Sequence, residues 1–210
     1  MSMRSLVLWL ASALAGCVVP VRTVDLRQDE AAPGGELTTR GRQLNFGAGQ
    51  RSYEDEDFGA LDDQFALALD YCEPMGLGPL RLEGGMHYSW DEATVTSGGQ
   101  QTHLDAWTFE LLVGANLSHQ IGRFRPYVGA GAALLFLDVR GVDDDVDFLF
   151  DDGEGTIGGY VKAGLLFQVR PGSHLGLELR HFEGGDVELD GTELDSSHDE
   201  LLIVFGTSFE

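Results

Sequence analysis

Residues 107–117 read Trp107-Thr108-Phe109-Glu110-Leu111-Leu112-Val113-Gly114-Ala115-Asn116-Leu117. Trp107, Phe109, Leu111, Val113, Ala115 and Leu117 share one parity, and Glu110 and Asn116 lie on the other. A period of two places alternate side chains on opposite faces of a β-strand. Its length suits a strand that crosses a bilayer at a tilt. The apolar parity has one environment and Glu110 has another, so the fold turns on which of the two faces outward.

The same alternation recurs from Gly41 onward. The apolar sets are Leu44, Phe46 and Ala48; Phe65, Leu67, Leu69 and Tyr71; Leu80, Leu82, Met86, Tyr88 and Trp90; the strand quoted above; Val128, Ala130, Ala132, Leu134 and Phe136; Ile157, Val161, Ala163, Leu165, Phe167 and Val169; Leu175, Leu177 and Leu179; and Leu201, Ile203, Phe205 and Phe209. That makes eight strands. The opposite parity carries Gln43, Asn45, Arg51, Asp70, Arg81, Glu83, His87, Asp91, Glu110, Asn116, Tyr160, Lys162, Gln168, Glu178, Arg180 and Glu200, which a lipid face rejects. The fifth strand, FRPYVGAGAALLFL, is apolar on both parities. A soluble barrel would reverse the economy, and alternation by itself does not tell inside from outside.

Connection lengths and the N-terminus decide for the membrane. Connections two, four and six are short, whereas one, three, five and seven are longer: 53–63, 93–102, 140–154 and 184–197. Outer-membrane barrels pair short periplasmic turns with longer external loops, and eight strands put both termini on the short-turn side. Residues 1–16 have the parts of an export signal, with Arg4 ahead of the apolar run Leu6 to Leu14 and small residues after it. Residues 17–40 have Pro20, Pro33, Gly34 and Gly35 among scattered charges without periodicity, the composition of a tether. Beyond Cys17 no run of about 18 apolar residues marks a transmembrane helix, and Cys72 is left as a lone small packed residue.

Charge has a direction as well. The net charge is −22, with 35 acidic residues against 13 lysines and arginines. The acids crowd the long connections: Glu54 to Asp57 with Asp62 and Asp63, then Asp143 to Glu154, then Asp186 to Asp195. Arg81, Arg123, Arg125 and Arg170 mark the other rim. A nucleic-acid backbone is repelled by such a molecule, and cations are attracted.

Three stretches resemble known families. Leu14-Ala15-Gly16-Cys17 resembles the lipobox of bacterial lipoproteins, which implies acylation of Cys17 as the new N-terminus. Arg123 to Leu137, with its Arg-Pro-Tyr-Val-Gly-Ala-Gly core, looks like a strand of OmpA/OmpW-like outer-membrane barrel domains. The ending Leu201 to Phe209 resembles the final-strand signal of the outer-membrane assembly machinery, although Glu210 follows the aromatic that should stand last. Together they imply an all-β, eight-stranded antiparallel up-and-down transmembrane β-barrel over residues 41–210, porin-like in build, in the outer membrane of a Gram-negative bacterium. It is expected to be a monomer whose partners are outer-membrane lipids and the assembly machinery, with no nucleic acid.

Chemistry is sparsely signalled. Leu179-Arg180-His181-Phe182-Glu183 sits where lipid A deacylases of the PagL type carry His-x-Ser, but Glu183 replaces the serine, and a carboxylate cannot serve as the nucleophile of that acyl transfer. Asp143, Asp145, Asp147, Asp151 and Glu154 fall at positions 1, 3, 5, 9 and 12 of a window resembling an EF-hand loop, with Phe148 where its glycine belongs. Weak binding of Ca²⁺ or another divalent cation is the expectation, with no resident cofactor. Tyr88, Trp90, Trp107 and Phe109 read as an interfacial aromatic girdle. The inward charges read as a self-paired plug, since eight strands leave room only for side chains. The resulting expectation is a non-enzymatic envelope protein with acidic external loops. The alternatives are a lipid-modifying enzyme and a soluble periplasmic barrel for a small apolar ligand.

Overall fold

The structure is a computed structural model and describes residues 41–53, 61–97, 100–143, 146–189 and 192–209. Eight strands close on themselves: β1 (Arg42–Tyr53), β2 (Asp63–Pro74), β3 (Leu80–Ser97), β4 (Gln100–Ser118), β5 (Phe124–Asp143), β6 (Val146–Arg170), β7 (Ser173–Glu183) and β10 (His198–Phe209). Each is antiparallel to its chain neighbour, and β1 pairs with β10 to shut the barrel. The short β8 (Asp186–Leu189) and β9 (Thr192–Asp195) form a separate hairpin between β7 and β10. Closure gives every strand a partner on both sides, the condition a sheet must meet in a solvent without hydrogen bonds.

The pairing is staggered. Followed once around from Asp63 through Ser52, Asp199, His181, Val161, Ala130, Ala115 and Leu82, the register returns to β2 at Glu73, ten positions along. That stagger tilts the strands and sets a bore that side chains alone can fill. The three short turns lie at one end, where Gly76, Gly78, Gly122 and Gly172 take positive φ of 72°, 68°, 61° and 78°. Pro171-Gly172 links Arg170 to Ser173, with proline setting a negative φ and glycine accepting the positive one that follows.

The apolar parity faces outward. Leu111 and Val113 are 44% and 58% exposed, while Glu110, next to Leu111 in the chain, is fully buried. Phe46, Phe65, Met86, Ile157, Leu177 and Ile203 continue the exposed apolar wall around the barrel. On β5 the wall runs from Phe124 to Phe136, which at about 3.3 Å per residue and a tilt of ~40° spans roughly 30 Å, the thickness of a bilayer's hydrocarbon. Aromatics mark both borders. Phe65, Tyr88, Trp90 and Trp107 cluster toward the long hairpins, with ring centroids 4.8 Å apart for Phe65 and Trp90. Phe124 and Phe167 meet at 5.3 Å beside the short turns.

Two connections differ from their reading as loops. β3 and β4 stay paired out to Ser97 and Gln100, and β5 and β6 out to Asp143 and Val146, so 93–102 and 140–154 are largely extensions of strand ladders. Backbone pairing carries a hairpin beyond the apolar wall even where both faces turn polar. The connection 184–197 contains β8 and β9, which turn Val187 and Leu194 inward.

Leu111 is paired with Met86 and Leu134 on its flanking strands, within the apolar wall. Arginine on a lipid face near the midplane costs about 2–4 kcal/mol. Leu111→Arg is therefore expected to lower the amount of the chain recovered from the outer-membrane fraction, measured by quantitative blotting; recovery equal to that of the unmodified chain contradicts this face assignment.

Candidate functional site

Inside, the parity rule delivers charged groups from all eight barrel strands to one column. Glycines on the inward parity make the room. A Cβ at Gly85 would run into Asp70 Oδ1, and one at Gly164 into the Tyr127 ring.

The upper group centres on Glu110 of β4 and Glu200 of β10. Arg51 of β1 donates through Nε to Glu200 Oε1 at 2.9 Å, and its Nη2 lies 2.5 Å from Glu110 Oε1. Arg180 of β7 holds Glu200 Oε2 at 2.9 Å through Nη1 and reaches Glu110 Oε2 through Nη2. His198 Nε2 lies 3.0 Å from Glu110 Oε1. Two guanidinium groups thus bridge two carboxylates, the planar fork geometry for which arginine is suited.

The lower group is built on one ammonium. Lys162 Nζ of β6 lies 2.9 Å from Asp70 Oδ2, 2.9 Å from Glu83 Oε1 and 3.2 Å from Glu178 Oε2. Three carboxylates around one lysine leave an excess of negative charge, and neutral donors spread it. Tyr127 donates to Glu178 at 2.6 Å, Tyr160 to Glu83 at 2.9 Å and Asn116 to Glu83 at 3.2 Å. His87 joins the two groups, with Nδ1 2.8 Å from Glu200 and Nε2 3.2 Å from Asp70.

Both ends of the column are closed by other chemistry. Toward the short turns, Arg81 donates to Gly41 O and Gln43 Oε1, each at 3.0 Å, Arg125 donates to Gln120, and His174 meets Asn45 at 2.7 Å. Arg81 and Arg125 therefore lie inside the bore, and only Arg123 and Arg170 of that group stand exposed. Toward the long hairpins a hydroxyl and amide chain runs from Ser89 and Thr108 to Gln64, with Tyr53 bonded to Thr108 at 2.8 Å. Above it lies an apolar stopper in which Leu135, Leu137, Val139 and Phe182 pack with Val187 and Leu194 of the β8–β9 hairpin.

Glu110, His198 and Glu200 bring three ligand atoms within 4.8 Å of one another. Arg51 and Arg180 already neutralise those carboxylates, so a metal ion there would face two guanidinium charges. His181 keeps the outward parity but is 9% exposed, held between Asp199 Oδ1 at 2.9 Å and Glu183 Oε2 at 3.2 Å. Carboxylates orient an imidazole, but they are not the hydroxyl a deacylase needs.

Of the expected cation ligands, Asp145 lies outside the described residues, as do the side chains of Asp143, Asp147 and Asp151. The backbone of Asp151 stands on β6 opposite Arg140, and Glu154 is exposed opposite Leu137 with an oxygen bonded to the Glu188 amide. The window is thus spread along a hairpin. Cys17 also lies outside the described residues. The buried His174 and His198, the stopper and the β8–β9 hairpin escaped the sequence reading. Val187 and Leu194, each flanked by acids in an alternating pattern, were the available signal for the hairpin.

No protein-family model matches the chain, and no curated protein does. Solved structures do. Ail of Yersinia pestis, in complex with the heparin analogue sucrose octasulfate, superposes with a TM-score of 0.55 at 12% identity over 81% of this chain and 99% of Ail. OprG of Pseudomonas aeruginosa gives 0.57 at 12% identity over 81% and 97%. A major outer membrane protein of Thermus thermophilus gives 0.57 at 14% identity over 80% and 98%. At these identities the shared property is the fold, that of outer-membrane β-barrels.

The column also yields a stability test. Removing one partner of a buried ion pair strands the others at a cost of about 3–5 kcal/mol. Glu110→Leu leaves Arg51 and Arg180 sharing Glu200, so its thermal unfolding midpoint in detergent should fall well below that of the unmodified barrel while outer-membrane recovery persists. An unchanged midpoint would mean that Glu110 is not part of a buried network.

Proposed function

We propose that this chain is a non-enzymatic outer-membrane protein of a Gram-negative envelope, working through its acidic outer end and its outer wall rather than through its bore. One observation carries the reading: the wall that faces outward is apolar, while the bore is filled by a column of paired charges among packed apolar side chains and stoppered by Val187 and Leu194. A soluble barrel for an apolar ligand needs the opposite distribution. Cys17 would add a lipid anchor through the tether, the barrel would stay monomeric among outer-membrane lipids after the assembly machinery inserts it, and loss of acyl labelling in Cys17→Ser checks the anchor.

The outer end suits cations. On the β8–β9 hairpin Asp186 is registered against Asp195 and Glu188 against Glu193, all four exposed. Like charges directly opposite across a ladder repel, and a divalent cation relieves that repulsion. This hairpin, together with Asp143, Asp145, Asp147, Asp151 and Glu154, is the surface proposed for weak Ca²⁺ or Mg²⁺ binding. Ail's sulfated ligand is a polyanion, and a chain of net charge −22 disfavours that ligand class.

The experiment is gel mobility with and without boiling, followed by reconstitution into planar bilayers. The expected result is a heat-dependent mobility shift, a requirement for detergent, and no steady single-channel conductance. A chain that is soluble without detergent, or one that conducts steadily, overturns the reading.

A further inference from the structure

On the outer wall of the β3–β4 hairpin, three aromatic rings and two carboxylates share one face. Trp90 and Trp107 are register partners, and the next outward-facing pair toward the hairpin tip is Glu92 and Asp105. Tyr88 lies one step toward the membrane, its ring 5.5 Å from Trp90 and 6.5 Å from Trp107, the latter nearly parallel at 28°. These five residues, with Asp91 and Ala106, line a surface recess of about 360 Å³.

The carboxylates stand there at a cost. Glu92 and Asp105 face each other across the ladder with like charge, an arrangement that is destabilising when nothing lies between. Neither has a hydrogen-bond or ion-pair partner among the described residues. The cation registered on the far side of Asp105 is Arg140, whose Nε is 3.4 Å from Asp138 on its own strand. The next pair outward, Thr94 and His103, is bonded to itself at 2.9 Å. A girdle needs its aromatics only as anchors between water and lipid. It does not need two carboxylates that face each other without a bonded partner immediately above them.

We infer that the recess formed by Tyr88, Trp90, Trp107, Glu92 and Asp105 binds the alkylammonium head of a membrane-borne amphiphile. Aromatic faces attract organic cations through their quadrupoles, strongly so where water is thinned, and carboxylates supply the net charge. The vertical order of the site selects a lipid-like occupant. Carboxylates lie outermost, aromatics next, and the apolar wall of Met86, Phe109 and Leu111 continues below them toward the membrane. A charged head, a short neck and an acyl tail meet these in turn, whereas a free cation would use only the upper part.

The chain carries its own reporter, because its three tryptophans are Trp9, Trp90 and Trp107. The full chain bearing Trp9→Phe, folded in maltoside micelles, is titrated with dodecyltrimethylammonium, with tetramethylammonium and with dodecanol while tryptophan emission is followed. The expected result is a saturable change with dodecyltrimethylammonium, with half-saturation raised about ten-fold in Glu92→Gln/Asp105→Asn. Tetramethylammonium should need at least about ten times the concentration, and dodecanol should give no saturable change. Equal half-saturation in the double variant, or dodecanol acting like the ammonium amphiphile, overturns the inference. Tetramethylammonium matching the amphiphile overturns the membrane-borne occupant. The head-group comparison needs no variant, so the inference stays testable if the double variant does not fold. Its failure is distinct from failure of the barrel reading, which rests on gel mobility and conductance.

Discussion

Everything in this molecule depends on charge being kept out of hydrocarbon. A strand that crosses a bilayer must turn one parity to lipid and the other to the bore, and an eight-strand bore is too narrow to hydrate what it receives. Glu110, Glu200, Asp70, Glu83 and Glu178 therefore have to find cations and donors among themselves. Two arginines bridging two glutamates, and one lysine inside a ring of three carboxylates, are the solution reached here. The inward glycines follow from that demand, since the space over Gly85 is taken by Asp70 and the space over Gly164 by Tyr127.

The faces were readable because parity needs no partner. Glu110, Lys162 and Arg180 declare their side from local alternation, and each is buried in the bore. The partners were not readable, because they depend on the stagger of the closed sheet. Lys162 meets Asp70 from 92 residues away, and nothing local to either residue announces the other. β5 shows where alternation falls silent. Its Leu134 and Phe136 face lipid while Leu135 and Leu137 build the stopper, and a run apolar on both parities does not say which of its faces meets lipid.

The connections 93–102 and 140–154 read as loops from the sequence and are mostly paired strand, for a related reason. Apolar alternation marks only the part of a strand inside the membrane, whereas pairing continues as long as two backbones run side by side. The 25 residues of β6 exceed what any hydrocarbon crossing needs. Outside the membrane the same ladders lift acidic and aromatic residues into exposed, registered positions. Glu92 against Asp105 arises this way, and the separate β8–β9 hairpin sets Glu188 against Glu193. The bore pairs most of its charged groups with one another, whereas Glu92, Asp105, Glu188 and Glu193 stand exposed outside it.

The central claim, an apolar wall around a charged bore, is tested most directly along β4. Single cysteines at each position from 108 to 117, in a chain with Cys17 and Cys72 replaced by serine, can carry spin labels whose collisions with oxygen and with a water-soluble nickel chelate are measured in bilayers. The account predicts a period of two, with labels at 109, 111, 113 and 115 open to oxygen and shielded from nickel, and labels at 110 and 112 shielded from both. Labels at 110 and 112 open to oxygen while 111 and 113 are shielded from it, or no alternation at all, would contradict it.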